Sequence, residues 1–136
     1  KSSGFESWAG YAYETICYKH ITQIRKQLGI GVGAEIGTWR YAPQKMESGE
    51  GAQIDLLFDR DDDVVTVCEI KYTTKPFSID KNYAKKLINK INIFKEKTRT
   101  RKQIFLAMIS ANGIQKTIYS EEYVTDVVVL DDLFKN

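Results

Sequence analysis

The stretch "QIDLLFDRDDDVVTVCEIKY", Gln53 to Tyr72, decides the fold. Its two ends, "QIDLLFD" and "VVTVCEIKY", are rich in β-branched and large apolar residues, and the intervening "RDDD" has the composition and charge of a turn, so the pattern predicts an antiparallel hairpin. Side chains alternate along a strand, which puts Glu69 and Lys71 on one face, and Asp55 on a face with Gln53 and Leu57. A turn centred on Asp62 sets Asp55 directly opposite Glu69, and a turn centred on Asp61 makes them diagonal neighbours. A slip of one residue would separate them, but it would also turn Leu56 and Phe58 to the wrong side relative to Cys68 and Ile70. Two carboxylates this close repel each other, and beside apolar Val67 their burial is costly unless a cation lies between them. A hard divalent ion, Mg²⁺ or Mn²⁺, suits such a pair, because Mg²⁺ binds through one or two carboxylates, keeps several waters and accepts phosphate oxygens.

Upstream, the apolar residues from Phe5 to Leu28, including Trp8, Ala12, Ile16, Ile21 and Ile24, recur mostly every three or four positions. That spacing predicts one long amphipathic helix. Glu14 lies at the border of its buried stripe, where it can face the sheet edge as a candidate third carboxylate, and Gly10 one turn earlier leaves room for a close approach. Gly29, Gly31 and Gly33 end the helix, "AEIGTWRYA" reads as a strand, and "KMESGEGA" as a Gly-rich loop. Downstream, Asp80 is an N-cap for a second helix over Lys81 to Thr98, with Ala84, Leu87, Ile88, Ile91 and Phe94 on its buried side. "QIFLAMISA" reads as a strand covered on both faces, and "DVVVLDDLF" as a short strand running into a helical turn. A meander followed by a crossover helix implies an α/β fold, with a mixed central sheet in which the strand after the helix runs parallel to "VVTVCEIKY".

The 136 residues suit a single domain. The net charge of +2 is too small for a general nucleic-acid coat, yet nine basic residues between Lys81 and Lys102 face one acid, Glu96. Such a surplus, with Lys81, Lys85, Lys86 and Lys90 as its helical members, can follow a phosphate backbone or simply solvate a helix face. Tyr41, Tyr72 and Tyr83 can stack on bases or fill a half-buried sheet face. Cys17 and Cys68 sit apart in apolar segments, as core residues of a cytoplasmic protein do. No apolar run reaches the roughly 20 residues that cross a bilayer. The start, "KSSGFESWAG", has no signal-peptide stretch and no initiator Met, as expected of a piece of a longer protein. His20 is the only histidine, which argues against a Ser-His-Asp triad and supplies, with Cys17, at most half a zinc site. "GIGVGA" follows a helix instead of a strand, so it is not a dinucleotide fingerprint, and no Walker A sequence is present.

An acidic residue on a first helix, an Asp in "QIDLLFD" and Glu-x-Lys in "CEIKY", in the order helix, three strands, helix, strand, resemble the PD-(D/E)XK nuclease superfamily. "WAGYAYETICYKHITQI", "GAQIDLLFDR", "CEIKY", "IDKNYAKKLINKINIF" and "LDDLF" are similar to the nuclease-like C-terminal domain of a group of prokaryotic AAA+ ATPases. The resemblance implies a restriction-endonuclease-like αβββαβ core covering almost the whole chain. It implies a metal held by Asp55 and Glu69, assisted by Glu14 and the Ile70 carbonyl, with Lys71 positioning the nucleophile. It further implies DNA as substrate, an ATPase domain in the same chain, and assembly through that ATPase. A domain that keeps these residues but only binds DNA or its ATPase is the alternative. Ile54 stands where the superfamily's name has Pro, and the metal chemistry does not need that proline.

Overall fold

The structure, a computed structural model, describes residues 3–47 and 49–135, leaving aside the side chains of residues 3, 5 and 6. Five strands form one sheet in the order β1 (Glu35–Tyr41), β2 (Ala52–Asp59), β3 (Val64–Lys71), β4 (Gln103–Ser110), β5 (Asp126–Val128). β1, β2 and β3 form an antiparallel meander, and β3, β4 and β5 run parallel. The parallel step from β3 to β4 is made by helix α3 (Lys81–Thr98), as the crossover reading expects. Asp80 caps α3, its carboxylate accepting the Tyr83 N–H at 2.8 Å.

The sheet is covered on both faces. On one side Tyr13 and Cys17 of α1 (Ser3–Lys19) and Ile24 of α2 (Ile21–Gln27) pack on Leu56, Phe58, Cys68, Ala107 and Ile109. The final 3₁₀ turn, Leu130–Phe134, adds Leu133 to that side. On the other, Leu87 and Phe94 of α3 pack on Leu57, Val65, Val67 and Leu106. Alternate residues of β4 therefore serve opposite cores, which is why its sequence is apolar throughout. Both cysteines are free and buried within the first core. Burial pushes the Cys17 thiol up to about 11 and the Cys68 thiol higher, so neither is a thiolate at neutral pH.

The structure corrects several expectations. The long first helix is two helices, broken at His20. Its imidazole Nδ1 donates to the Ile16 carbonyl at 2.8 Å, taking the acceptor that the His20 N–H would use in a continuing helix. The His20 N–H turns instead to the Cys17 carbonyl at 3.0 Å, and the chain restarts at Ile21. Gly29, at φ +69°, then ends α2, with the Ile30 N–H bonded back to the Arg25 carbonyl. Trp8, placed by periodicity on the buried stripe, is 65% exposed, and Phe5 lies outside the described side chains. Among the described residues no other element approaches Gly10, where an added Cβ would meet no atom outside the adjoining helix backbone within 4 Å. A short helix, α4 (Ile118–Tyr123), precedes β5 where the periodicity gave none. Among the described residues, no helix is long and apolar enough to cross a membrane.

Candidate active site

The β2–β3 pairs run from Asp59↔Val65 to Leu56↔Cys68, which centres the hairpin on Asp62. Continuing the register would set Asp55 opposite Glu69, but the ladder stops one pair short. Past that point β2 stays with β1, through Trp39↔Ile54 to Tyr41↔Ala52, while β3 stays with β4 through Lys71↔Ser110. The sheet therefore forks, with Asp55 and Glu69 at the root of the two prongs.

A β-bulge accompanies the fork. The pairs Gly37↔Leu57 and Trp39↔Ile54 leave Thr38 facing two residues of β2, Asp55 and Leu56. One extra residue breaks the alternation, so Ile54 joins Leu57 in the core under α3. The expectation that Asp55 shares a face with both Gln53 and Leu57 assumed an unbroken strand. Gln53 does lie beside Asp55, its Nε2 donating to Asp55 Oδ1 at 2.6 Å.

Each candidate side chain has a partner of its own. The Tyr18 hydroxyl lies 3.3 Å from both Glu14 Oε1 and the Asp55 carbonyl oxygen, tying α1 to the bulge. Burial, then the negative charges of Glu14 and Asp55, push the Tyr18 phenol up to about 12, so it remains a donor. Glu69 is held from α3: Lys90 Nζ donates to its two carboxylate oxygens at 2.9 and 3.1 Å. Asp55 is thus engaged from its own strand and the α1 side, and Glu69 from the α3 side. Lys71 Nζ lies 5.1 Å from the Tyr83 ring centre and 5.6 Å from that of Phe77, within cation–π range. Burial and then the charge of Glu69 raise the Tyr83 pKa, keeping this phenol neutral too. The Lys71 carbonyl accepts the Ala111 N–H from the β4 side. By alternation the Ile70 carbonyl points the other way, toward β2 and the fork.

A groove of about 670 Å³ adjoins the site, between Gly51 and Ala52 at the head of β2 and Lys85, Lys86, Asn89 and Lys90 of α3. Two of its lining residues are joined where Asn89 donates to Glu50 at 2.7 Å. A Cβ on Gly51 would lie 2.7 Å from the Tyr41 carbonyl oxygen, so nothing larger fits at this rim. Lys81 is exposed on the first turn of α3 and does not line the groove. Tyr83 and Tyr72 pack against the cores, and Tyr41 stacks along Trp39.

Asp55, Glu69 and the Ile70 carbonyl lie at one fork and are hard oxygen donors, the donor chemistry that Mg²⁺ takes through one or two carboxylates with water completing its shell. They are not gathered on one point: among the described residues no three or more His, Cys, Asp or Glu side chains stand close enough together to hold a metal. Sequence reasoning missed two contributors. Tyr18 was within reach of it, one helical turn from Glu14. The pairing of Lys90 with Glu69 spans 21 residues and leaves no local trace. No protein-family model, curated protein or solved structure matches the chain.

Proposed function

We propose that this is a nuclease domain of the PD-(D/E)XK type, hydrolysing phosphodiester bonds of DNA with Mg²⁺ or Mn²⁺ as cofactor. The observation that carries the reading is the fork. Asp55 and Glu69 open its two prongs, Lys71 follows Glu69 on the next outward position, and a lysine-lined groove leads away from it. The helix-meander-helix-strand order agrees with the restriction-endonuclease-like core that the motifs resemble. When bound, the divalent ion supplies Lewis acidity toward the scissile phosphate and toward water.

The remaining roles belong to the chain. Lys85 and Lys86 seat backbone phosphates by charge. Glu14 and Tyr18 orient the Asp55 segment from the α1 side. Lys71, released from the Phe77 and Tyr83 rings, hydrogen-bonds the attacking water or offsets the charge that develops on the phosphate. The similarity to ATPase-linked domains extends the reading to an AAA+ ATPase in the same protein, through which the domain would assemble.

Supercoiled, linear and branched DNA, incubated with the domain in Mg²⁺ or Mn²⁺, test the proposal. Cleavage should fall by about a hundredfold or more in Glu69→Gln, Asp55→Asn and Lys71→Ala. Activity that persists in those variants would sink the assignment. The Lys90–Glu69 ion pair favours a second reading, a module that binds DNA or its ATPase without cutting. In that case calorimetry detects no divalent ion, and DNA binding weakens with salt along a slope that loses about one unit for each groove lysine removed.

A further inference from the structure

The Glu69–Lys90 pair supports an inference that rests on the metal reading above and deepens it. Lys90 projects from the middle of α3, and its ammonium takes up both oxygens of the carboxylate, at 2.9 and 3.1 Å. The pair is largely withdrawn from water, the two side chains being 28% and 13% exposed. A second cation that engages Glu69 competes with Lys90 for these two oxygens. The same residue lines the groove beside Lys85 and Lys86, so a rotation of its flexible four-carbon stem carries the charge from one place to the other.

We propose that Lys90 is the resident counter-ion of the candidate site: it holds Glu69 while no divalent ion is bound, yields the carboxylate to the ion, and turns into the groove as an added phosphate contact. Lys90 neutralises a carboxylate whose side chain is only 13% exposed. It also makes metal loading and polyanion binding assist each other, because the ion that displaces it adds one positive charge to the groove. By linkage, bound polyanion favours the metal to the same degree. A bridge that only held α3 on the sheet would leave metal affinity unchanged.

Calorimetric titration of the full chain with Mn²⁺ alone tests this in the wild type, Lys90→Gln and Lys86→Gln. Lys90→Gln should bind Mn²⁺ about tenfold tighter, since no charge-assisted hydrogen bond has to be displaced. Lys86→Gln makes the same charge change in the exposed groove and should stay within about twofold of the wild type. Equal affinity in wild type and Lys90→Gln, or equal tightening in Lys86→Gln, overturns the proposal and leaves the metal reading standing. No Mn²⁺ binding by any of the three overturns both. Should Lys90→Gln fail to fold, Lys90→Arg keeps the charge and grips the carboxylate through two N–H groups. It should weaken Mn²⁺ binding, and an unchanged affinity would contradict the exchange.

Discussion

At Asp132 a nearly buried carboxylate accepts the Val129 N–H at 2.9 Å and the Lys135 ammonium at 2.7 Å, fastening the last turn of the chain. Burial alone would raise its pKa; the Lys135 hydrogen bond and the Val129 N–H outweigh burial and leave it below the usual carboxylate value. Because the folded pKa is depressed, the stabilisation is present above the unfolded pKa, near 4, and is lost as pH falls through the folded value. Asp132→Asn should therefore cost about 1 to 2 kcal/mol at neutral pH. In urea unfolding the gap from the wild type should narrow as pH drops from about 5 to about 3. A gap independent of pH would mean the carboxylate charge is not what fastens the turn. Residues of this kind differ in how far the sequence announces them. The sequence leaves two hairpin centres open and the structure chooses Asp62, whereas Glu14 and Tyr18, one helical turn apart, are legible. The partner of Glu69 is not, since any lysine on the sheet-facing border of α3 satisfies the same pattern.

Among the elements, α3 carries the groove lysines, and Asp80 fixes where it starts. Asp80→Ala leaves the Tyr83 N–H without its side-chain acceptor and should cost about 1 kcal/mol, read from the denaturation midpoint at unchanged slope. An unaltered midpoint would show that water serves the first turn equally well. The bounds of α3 are legible because cap, period and length agree over five turns. The break at His20 is hidden, because the apolar spacing of α1 and α2 is continuous and the interruption depends on one imidazole reaching one carbonyl. The bulge in β2 is hidden for a related reason: "QIDLL" fits an unbroken strand, and the extra residue exists only relative to β1. Bulges bend strands and re-aim side chains, and this one sits at Asp55, where the sheet divides.

For the whole molecule, one sheet shared by two cores predicts one unfolding event. Ile24→Ala, under α2, and Leu87→Ala, under α3, each empty a buried site and should each cost about 2 to 5 kcal/mol. Both should shift a single transition seen alike by circular dichroism and tryptophan fluorescence. Separate transitions in either variant would show that the two faces unfold independently. The sequence by itself determined the strands, the hairpin, the capped crossover helix and the parallel step after it, because local period, turn chemistry and handedness all act over short spans of chain. It also narrowed Asp55 and Glu69 to directly opposed or diagonal positions, according to where the turn is centred. Only the tertiary structure decided that β2 and β3 part company at those acids, that a bulge turns Asp55 away from simple alternation, and that Lys90 rather than Lys71 meets Glu69. Those outcomes depend on contacts between segments 15 to 21 residues apart or on neighbouring strands, and the competition among such contacts is settled only when the two cores close on the sheet.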